Sequence, residues 1–245
     1  MMKFDILTLF PEMFTNYFNS SILKRAINNN IIECNTIDFR EYSGNKHNTV
    51  DDYSYSGGAG MLIRVDPIHR ALTHIKDYEK AYVILTSPSG NQFNQKKALE
   101  LSKKEHLIII CGHYEGVDAR VLNYVDEEIS IGDYVLTGGE VPALVIVDSV
   151  SRLIPGVISE DSISTESFND DLLEYPQYTR PQEYDGHSVP EILLSGHHAK
   201  IKKWQRYEAL KKTLLVRPDL LEKATLTPED LAMIEEIKNE ICKED

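Results

Sequence analysis

Apolar and polar positions alternate over residues 3–10 closely enough to predict a strand. Pro11 then opens a helix at its first-turn position, and the helix runs on, with a break, toward Ala26. Residues 31–39 predict a second strand. Two short runs, 82–85 and 107–110, are apolar throughout and rich in β-branched residues, as strands are when helices cover both faces of a parallel sheet. Residues 128–131 form a fourth, less regular run of the same kind. Helical spacing over 95–103 separates the first two runs, so the rhythm is strand, helix, strand, which predicts an α/β fold with a parallel sheet.

Residues 142–154 have helical length but are apolar nearly all round, with Ala143, Leu144, Val145, Ile146, Val147, Val150 and Leu153. Such a helix is expected to be buried on every side, in a core or against a second subunit. Pro155-Gly156 ends it. Thr227-Pro228-Glu229-Asp230 marks another helix start, with Thr as cap, Pro at the first position and acids in the first turn. Leu231, Ile234, Ile237 and Ile241 continue it as an apolar stripe. Together these patterns predict a domain over 1–158, a linker over 159–174 and a small helical domain over 175–245. The linker has six acids, four serines and no base, the composition of a mobile segment.

Composition narrows the class. The chain has 245 residues, 42% hydrophobic and 27% charged, a globular balance rather than a disordered one. Its longest apolar runs, 107–111 and 143–147, fall far short of the roughly 20 residues a membrane helix needs. Acids and a proline interrupt the N-terminal stretch where a signal peptide would be apolar. Cys34, Cys111 and Cys242 form no CxxC pair, so neither a disulfide framework nor a cysteine zinc site is expected, and a reducing, cytoplasmic setting is. Cys111 ends an apolar strand and reads as core packing.

The net charge of −13 is unevenly spread. Residues 200–217 hold seven Lys or Arg against one acid, while 218–245 hold nine acids against three bases. A field of that overall sign repels nucleic acid, so RNA binding would have to rest on a local patch. The basic run fits either a solvated helix face or a binding face; Trp204 and Tyr207 within it suit stacking on sugar or base.

Each later strand is followed by a loop of small residues: 87–90, 112–116, and 132 through 139. Loops at the carboxyl ends of parallel strands line the ligand crevice of an open sheet, and glycines there admit close approach of the backbone. No GxGxxG follows a strand, no GxxxxGK[ST] is present and no HExxH occurs, which disfavours a dinucleotide fold, a P-loop NTPase and that zinc site. His197-His198 are adjacent and would diverge on a helix, so a cap or a phosphate contact outweighs a metal role.

These same loops carry a resemblance. Residues 51–53 with 57–61, Cys111-Gly112-His113-Tyr114-Glu115-Gly116, and Ser130 through Glu140 (SIGDYVLTGGE) are its first part. With Arg152 to Val157, Tyr175 to Pro181, and Leu194-Ser195-Gly196-His197-His198, they resemble the bacterial tRNA (guanine-N1)-methyltransferase family of the SPOUT class, in order and near-constant spacing to about residue 220. The resemblance implies a deep trefoil knot, S-adenosylmethionine held in it, an antiparallel homodimer with sites at the interface, and methylation of guanosine at tRNA position 37, beside the anticodon. Cofactor contacts are implied at Ser87, Pro88, Gly112, Tyr114, Glu115, Ser130, Ile131, Gly132, Asp133, Tyr134, Val135, Leu136, Gly138 and Gly139. Mg²⁺ is implied as an assistant, although no ligand cluster is visible.

Methylation at N1 needs a base, because that nitrogen carries a proton at neutral pH. The resemblance implies an Asp before Ser-Phe as the base and an assisting Arg. The Arg matches Arg152; the base position holds Glu166, in Thr165-Glu166-Ser167-Phe168, with Asp161 and Asp170 as competitors. Asp171 stands where the family has Gly, and Ser56 replaces the first Gly of its triple. Arg180, His197, His198, Lys200, Lys202, Lys203, Arg206 and Lys211 are the expected tRNA-binding residues. A related SPOUT enzyme with another RNA target and an inactive tRNA-binding homologue stay open as alternatives.

Overall fold

The computed structural model describes residues 1–55, 57–159, 166–168 and 170–244, leaving aside the side chain of Glu244. It divides into two compact units, 1–159 and 160–245.

The first unit is built on β1 (Met2–Thr8), β2 (Ile32–Asp38), β5 (Tyr82–Gln92), β6 (His106–Cys111) and β7 (Glu127–Ser130). They form one parallel sheet in the order β2-β1-β6-β5-β7. A small antiparallel pair, β3 (Asp51–Asp52) with β4 (Leu62–Ile63), stands apart from it. Both faces of the sheet's centre are buried, which is why β6 and the first part of β5 are apolar at successive positions. Phe4, Ile6, Ile84, Leu107 and Ile109 pack against α1 (Glu12–Phe18), α2 (Ser21–Asn28), α4 (Gln95–Leu101) and α5 (Glu140–Ser151). On the other face Leu7, Val83, Leu85, Ile108 and Ile110 pack against α3 (Val65–His74) and the 3₁₀ turns at Phe39 and Val121. Helix α3 went unread in the sequence, where Pro67 and two histidines mask its apolar face.

The break expected after Pro11 falls at Asn19 and Ser20. Asn19 Nδ2 donates to the Thr15 carbonyl at 2.8 Å and Ser20 Oγ to that of Asn16 at 2.6 Å, so side chains take the carbonyls that a continuing helix would use. Strand β5 is longer than the apolar run that announced it. Its register with β7 shifts between Thr86 and Asn91, and the intervening 87–90 leaves the ladder as a loop.

Within the single chain, helix α5 is buried on one face. Ala143, Ile146, Val147 and Val150 face the core, whereas Val141 and Val145 are 47% and 38% exposed. Met13 and Tyr17 of α1, the helix it packs against, are exposed as well.

In the second unit, α6 (His198–Val216) and α7 (Pro228–Glu244) enclose a core of Leu210, Met233, Ile234 and Ile237. Leu172 is buried in that core. Leu173 N–H donates to Thr213 Oγ1 at 2.9 Å and Glu174 N–H to Ser167 Oγ at 2.9 Å. The later part of the acidic segment is therefore packed structure, a correction to its reading as linker throughout; apolar Leu172-Leu173 among the acids was the overlooked signal. A two-strand hairpin, β8 (Glu183–Tyr184) with β9 (His187–Ser188), turns at Asp185-Gly186, both with positive φ.

Candidate active site

The three small-residue loops converge. The 87–90 bulge, the loop after β6 and the loop after β7 line a single cavity of about 460 Å³ at the carboxyl edge of the sheet. Ser87 and Pro88 come from the first, Gly112, Tyr114 and Glu115 from the second, and Ser130, Ile131, Gly132, Tyr134, Val135, Leu136, Gly138 and Gly139 from the third. Of the expected contacts in these loops only Asp133 is outside the lining; it is exposed.

Backbone interactions lock the second and third loops together. Gly139 N–H donates to the Gly112 carbonyl at 2.7 Å, and His113 bridges Gly138 in antiparallel fashion. Thr86 Oγ1 donates to the carbonyl of Ile110 at 3.1 Å, tying the floor to β6. A Cβ on Gly139 would fall 2.1 Å from Thr86 Oγ1 and 2.7 Å from the Gly112 nitrogen, so no other residue fits there. The 57–61 loop reaches the rim, where Glu115 N–H donates to the Met61 carbonyl at 3.2 Å. Tyr114 holds a left-handed φ of 56°, a conformation uncommon for an aromatic residue and one that surrounding structure must hold in place.

Several lining residues were not singled out in the sequence. Thr86 and Glu128 sit in strands and looked structural; His113 lay inside the recognised string without a role. For His113 the one mark was its position just beyond the carboxyl end of β6.

Arg152 caps the C-terminus of α5 and is half-buried, outside the cavity lining. Glu166 is half-buried in the second unit. It borders a smaller cavity of about 200 Å³ with Asp170, Lys202, Gln205 and Arg206. Asp161 and Ser56 lie outside the described residues.

The expected basic face is divided by the fold. Arg206 forks onto Asp230, with Nε and Nη2 donating at 2.8 and 2.9 Å. Its guanidinium holds the Asp230 carboxyl well below the usual carboxylate range. Asp230 in turn accepts from the N–H and hydroxyl of Thr227 at 2.9 and 2.8 Å, closing the cap of α7. Lys203 and Lys211 face Glu229 and Glu240, each at 3.7 Å. Arg206 thus takes part in the packing of α6 on α7. Lys200 and Lys202 make no ion pair among the described residues, and with Arg180, His197 and His198 they are exposed. Tyr178 packs its ring 6.4 Å from that of Trp204, bringing the segment that carries Arg180 alongside α6.

Residues 2–223 match the sequence pattern of the family described as tRNA (Guanine-1)-methyltransferase TrmD. The chain belongs to that family. It is 57% identical over 245 residues, the whole of both chains, to the tRNA (guanine-N(1)-)-methyltransferase of Dictyoglomus turgidum. It is 52% identical over 242 residues to that of Staphylococcus carnosus, covering 98% of this chain and 99% of the relative. The corresponding figures for Clostridium beijerinckii are 53% over 239 residues, 97% and 100%. As a TrmD-family chain it is a methyltransferase enzyme of the SPOUT class. No helix among its described residues is long and apolar enough to cross a membrane.

The cavity suits the methyl donor that the TrmD family implies. Its volume lies within the range of cofactor pockets, roughly 300–1,000 Å³, and Glu115 and Glu128 set carboxylates in its lining for a cationic ligand. The described residues contain no group of three or more His, Cys, Asp or Glu able to hold a metal ion, and no metal step is derived.

Proposed function

We propose that the chain transfers a methyl group from S-adenosylmethionine, held in the three-loop cavity, to N1 of guanosine at position 37 of tRNA. The observation that carries this reading is the convergence of the 87–90, 112–116 and 130–139 loops on one cavity in a full-length TrmD-family chain. The interlocking of His113 with Gly138 and of Gly112 with Gly139 supports a knotted path through these loops. Bound there, S-adenosylmethionine supplies an electrophilic methyl carbon on a sulfonium, whose C–S bond breaks with its electron pair passing to sulfur.

This chain's own residues must free the N1 lone pair. Glu166 takes the N1 proton onto its carboxylate as the N–C bond forms, a role expected to contribute about 10²–10⁴-fold. The Arg152 guanidinium stabilises the negative charge that develops at guanine O6. Glu166 in place of Asp adds one methylene, next to Ser167, which accepts from Glu174 N–H. A second copy of the chain covers Met13, Tyr17, Val141 and Val145, completing a homodimer whose sites lie at the interface; exposed apolar side chains on two packed helices support this. Residues 159–174 join the two functional parts. The helical domain over 175–245 receives tRNA on Lys200, Lys202, His197, His198 and Arg180. The protein works in the cytoplasm.

The test is transfer of labelled methyl from S-adenosylmethionine to unmodified tRNA, with the product nucleoside identified. The expected product is 1-methylguanosine, lost when position 37 is changed; any other methylated nucleoside overturns the target. Glu166→Gln is expected to abolish turnover while S-adenosylmethionine still binds, and unchanged turnover moves the base to Asp161 or Asp170.

A further inference from the structure

Beneath the cavity lies a carboxylate that the reaction as described leaves unused. Glu140, the first residue of α5, is 2% exposed. Its Oε1 accepts a hydrogen bond from the Thr8 hydroxyl at 2.9 Å, and Thr8 Oγ1 accepts from Phe10 N–H at 2.9 Å. Its Oε2 lies 3.9 Å from His113 Nδ1. That nitrogen is buried and has no hydrogen-bond partner among the described residues.

A buried polar atom without a partner costs free energy, so native structures rarely keep one without reason. Here the unpartnered imidazole nitrogen and the second carboxylate oxygen face each other across one more ångström than a hydrogen bond allows. The surroundings hold both in place. The His113 ring packs 5.0 Å from Phe10 and edge-on to Tyr114, also at 5.0 Å. Gly138 fills the space beside them, where a Cβ would fall 2.4 Å from Glu140 Oε2 and 2.5 Å from His113 Nδ1. Burial, and then the Glu140 carboxylate, push the neighbouring Cys111 thiol up. No Lys or Arg ion pair reaches Glu140 among the described residues; the helix N-terminus puts positive potential on it.

We infer that Glu140 and His113 are a positioning pair for the methyl donor's loops. When the donor occupies the cavity, His113 Nδ1–H closes on Glu140 Oε2, fixing the loop after β6, strained at Tyr114, to the start of α5. The inference rests on reading the cavity as the donor site. Glu140 reaches the donor only through His113 and the two loops, so it positions rather than reacts.

The experiment is calorimetric binding of S-adenosylmethionine to the full-length protein without tRNA, alongside ¹⁵N NMR of His113. Glu140→Gln is expected to weaken binding about tenfold, with the loss in turnover carried by KM for the donor rather than by kcat. The wild-type His113 Nδ1 resonance is expected to move to the hydrogen-bonded position on adding donor, and to move less in Glu140→Gln. Should Glu140→Gln fail to fold, His113→Phe keeps the ring against Phe10 while removing the nitrogen, and is expected to weaken binding similarly. Wild-type protein that binds no S-adenosylmethionine overturns the donor-site reading and the pair with it. Wild-type binding matched by Glu140→Gln, or by His113→Phe, overturns the pair alone, as does a His113 resonance indifferent to the donor.

Discussion

Strand β1 carries one buried polar group at its middle and another at its carboxyl end, and they are treated differently. At the middle, Asp5 is 2% exposed and accepts from Lys3 Nζ at 2.7 Å, His106 Nε2 at 2.8 Å and Asn35 Nδ2 at 2.9 Å. At its end, Thr8 donates a hydrogen bond to Glu140, equally buried, while an imidazole nitrogen stands out of reach. Both carboxylates lost the same solvation on burial. The compensated one is scaffold, in the middle of β1 between β2 and β6. The under-compensated one lies under the cavity, where a ligand has something left to complete.

Breaking Asp5 should give the largest effect. Asp5→Ala is expected to destabilise the first unit by about 3 kcal/mol, since it leaves Lys3 and His106 without their shared acceptor. Denaturant unfolding checks this, and per-molecule S-adenosylmethionine binding should survive, the opposite pattern to Glu140→Gln. Next comes the equivalent clamp in the second unit. Arg206→Ala strands the Asp230 carboxylate, and a loss of about 2 kcal/mol is expected in the unfolding of that unit, with donor affinity unchanged.

A pH titration sharpens the contrast. Burial pushes the Asp5 carboxyl up, but hydrogen bonds from His106, Lys3 and Asn35 outweigh it and hold the group below its ordinary value. Its contribution is therefore fully present above the unfolded carboxylate's pKa, about 3.9, and is lost as pH falls through the lower folded value. Urea midpoints measured from about pH 6 down to pH 2 should fall less steeply in Asp5→Asn than in wild type. The smallest effect is expected on the basic surface. Replacing Lys200 and Lys202 with Ala should lower the salt slope of tRNA binding by about one unit per lost phosphate contact, whereas Arg206→Ala should leave that slope in place.

Much of the architecture was legible because local pattern and tertiary environment agree. Strand β6 and the first half of β5 are apolar at successive positions since both sheet faces are covered, and β1 announces itself by alternation. Thr227 and Asp230 cap α7 through contacts three residues apart, which spacing alone can announce. The loop strings carried the family and most of the cavity lining, because glycines at strand ends are chosen by their immediate backbone.

What the sequence could not settle were pairings made across long separations. Seven bases in 200–217 read as one surface, yet Arg206, Lys203 and Lys211 are drawn onto the acids of α7, and only packing assigns which cations stay with solvent. Helix α5 looked apolar all round, and only the neighbouring layers decide that Val141 and Val145 face outward. Leu172 sits among acids that suggested a loose linker, and a core more than thirty residues downstream claims it. Glu140 stood in plain view at the end of a recognised string, but its partners are Thr8, 132 positions away, and a histidine on another loop. Composition and periodicity determine which faces are apolar and where the chain turns; which polar groups meet in the dark between layers is decided only when the sheet closes.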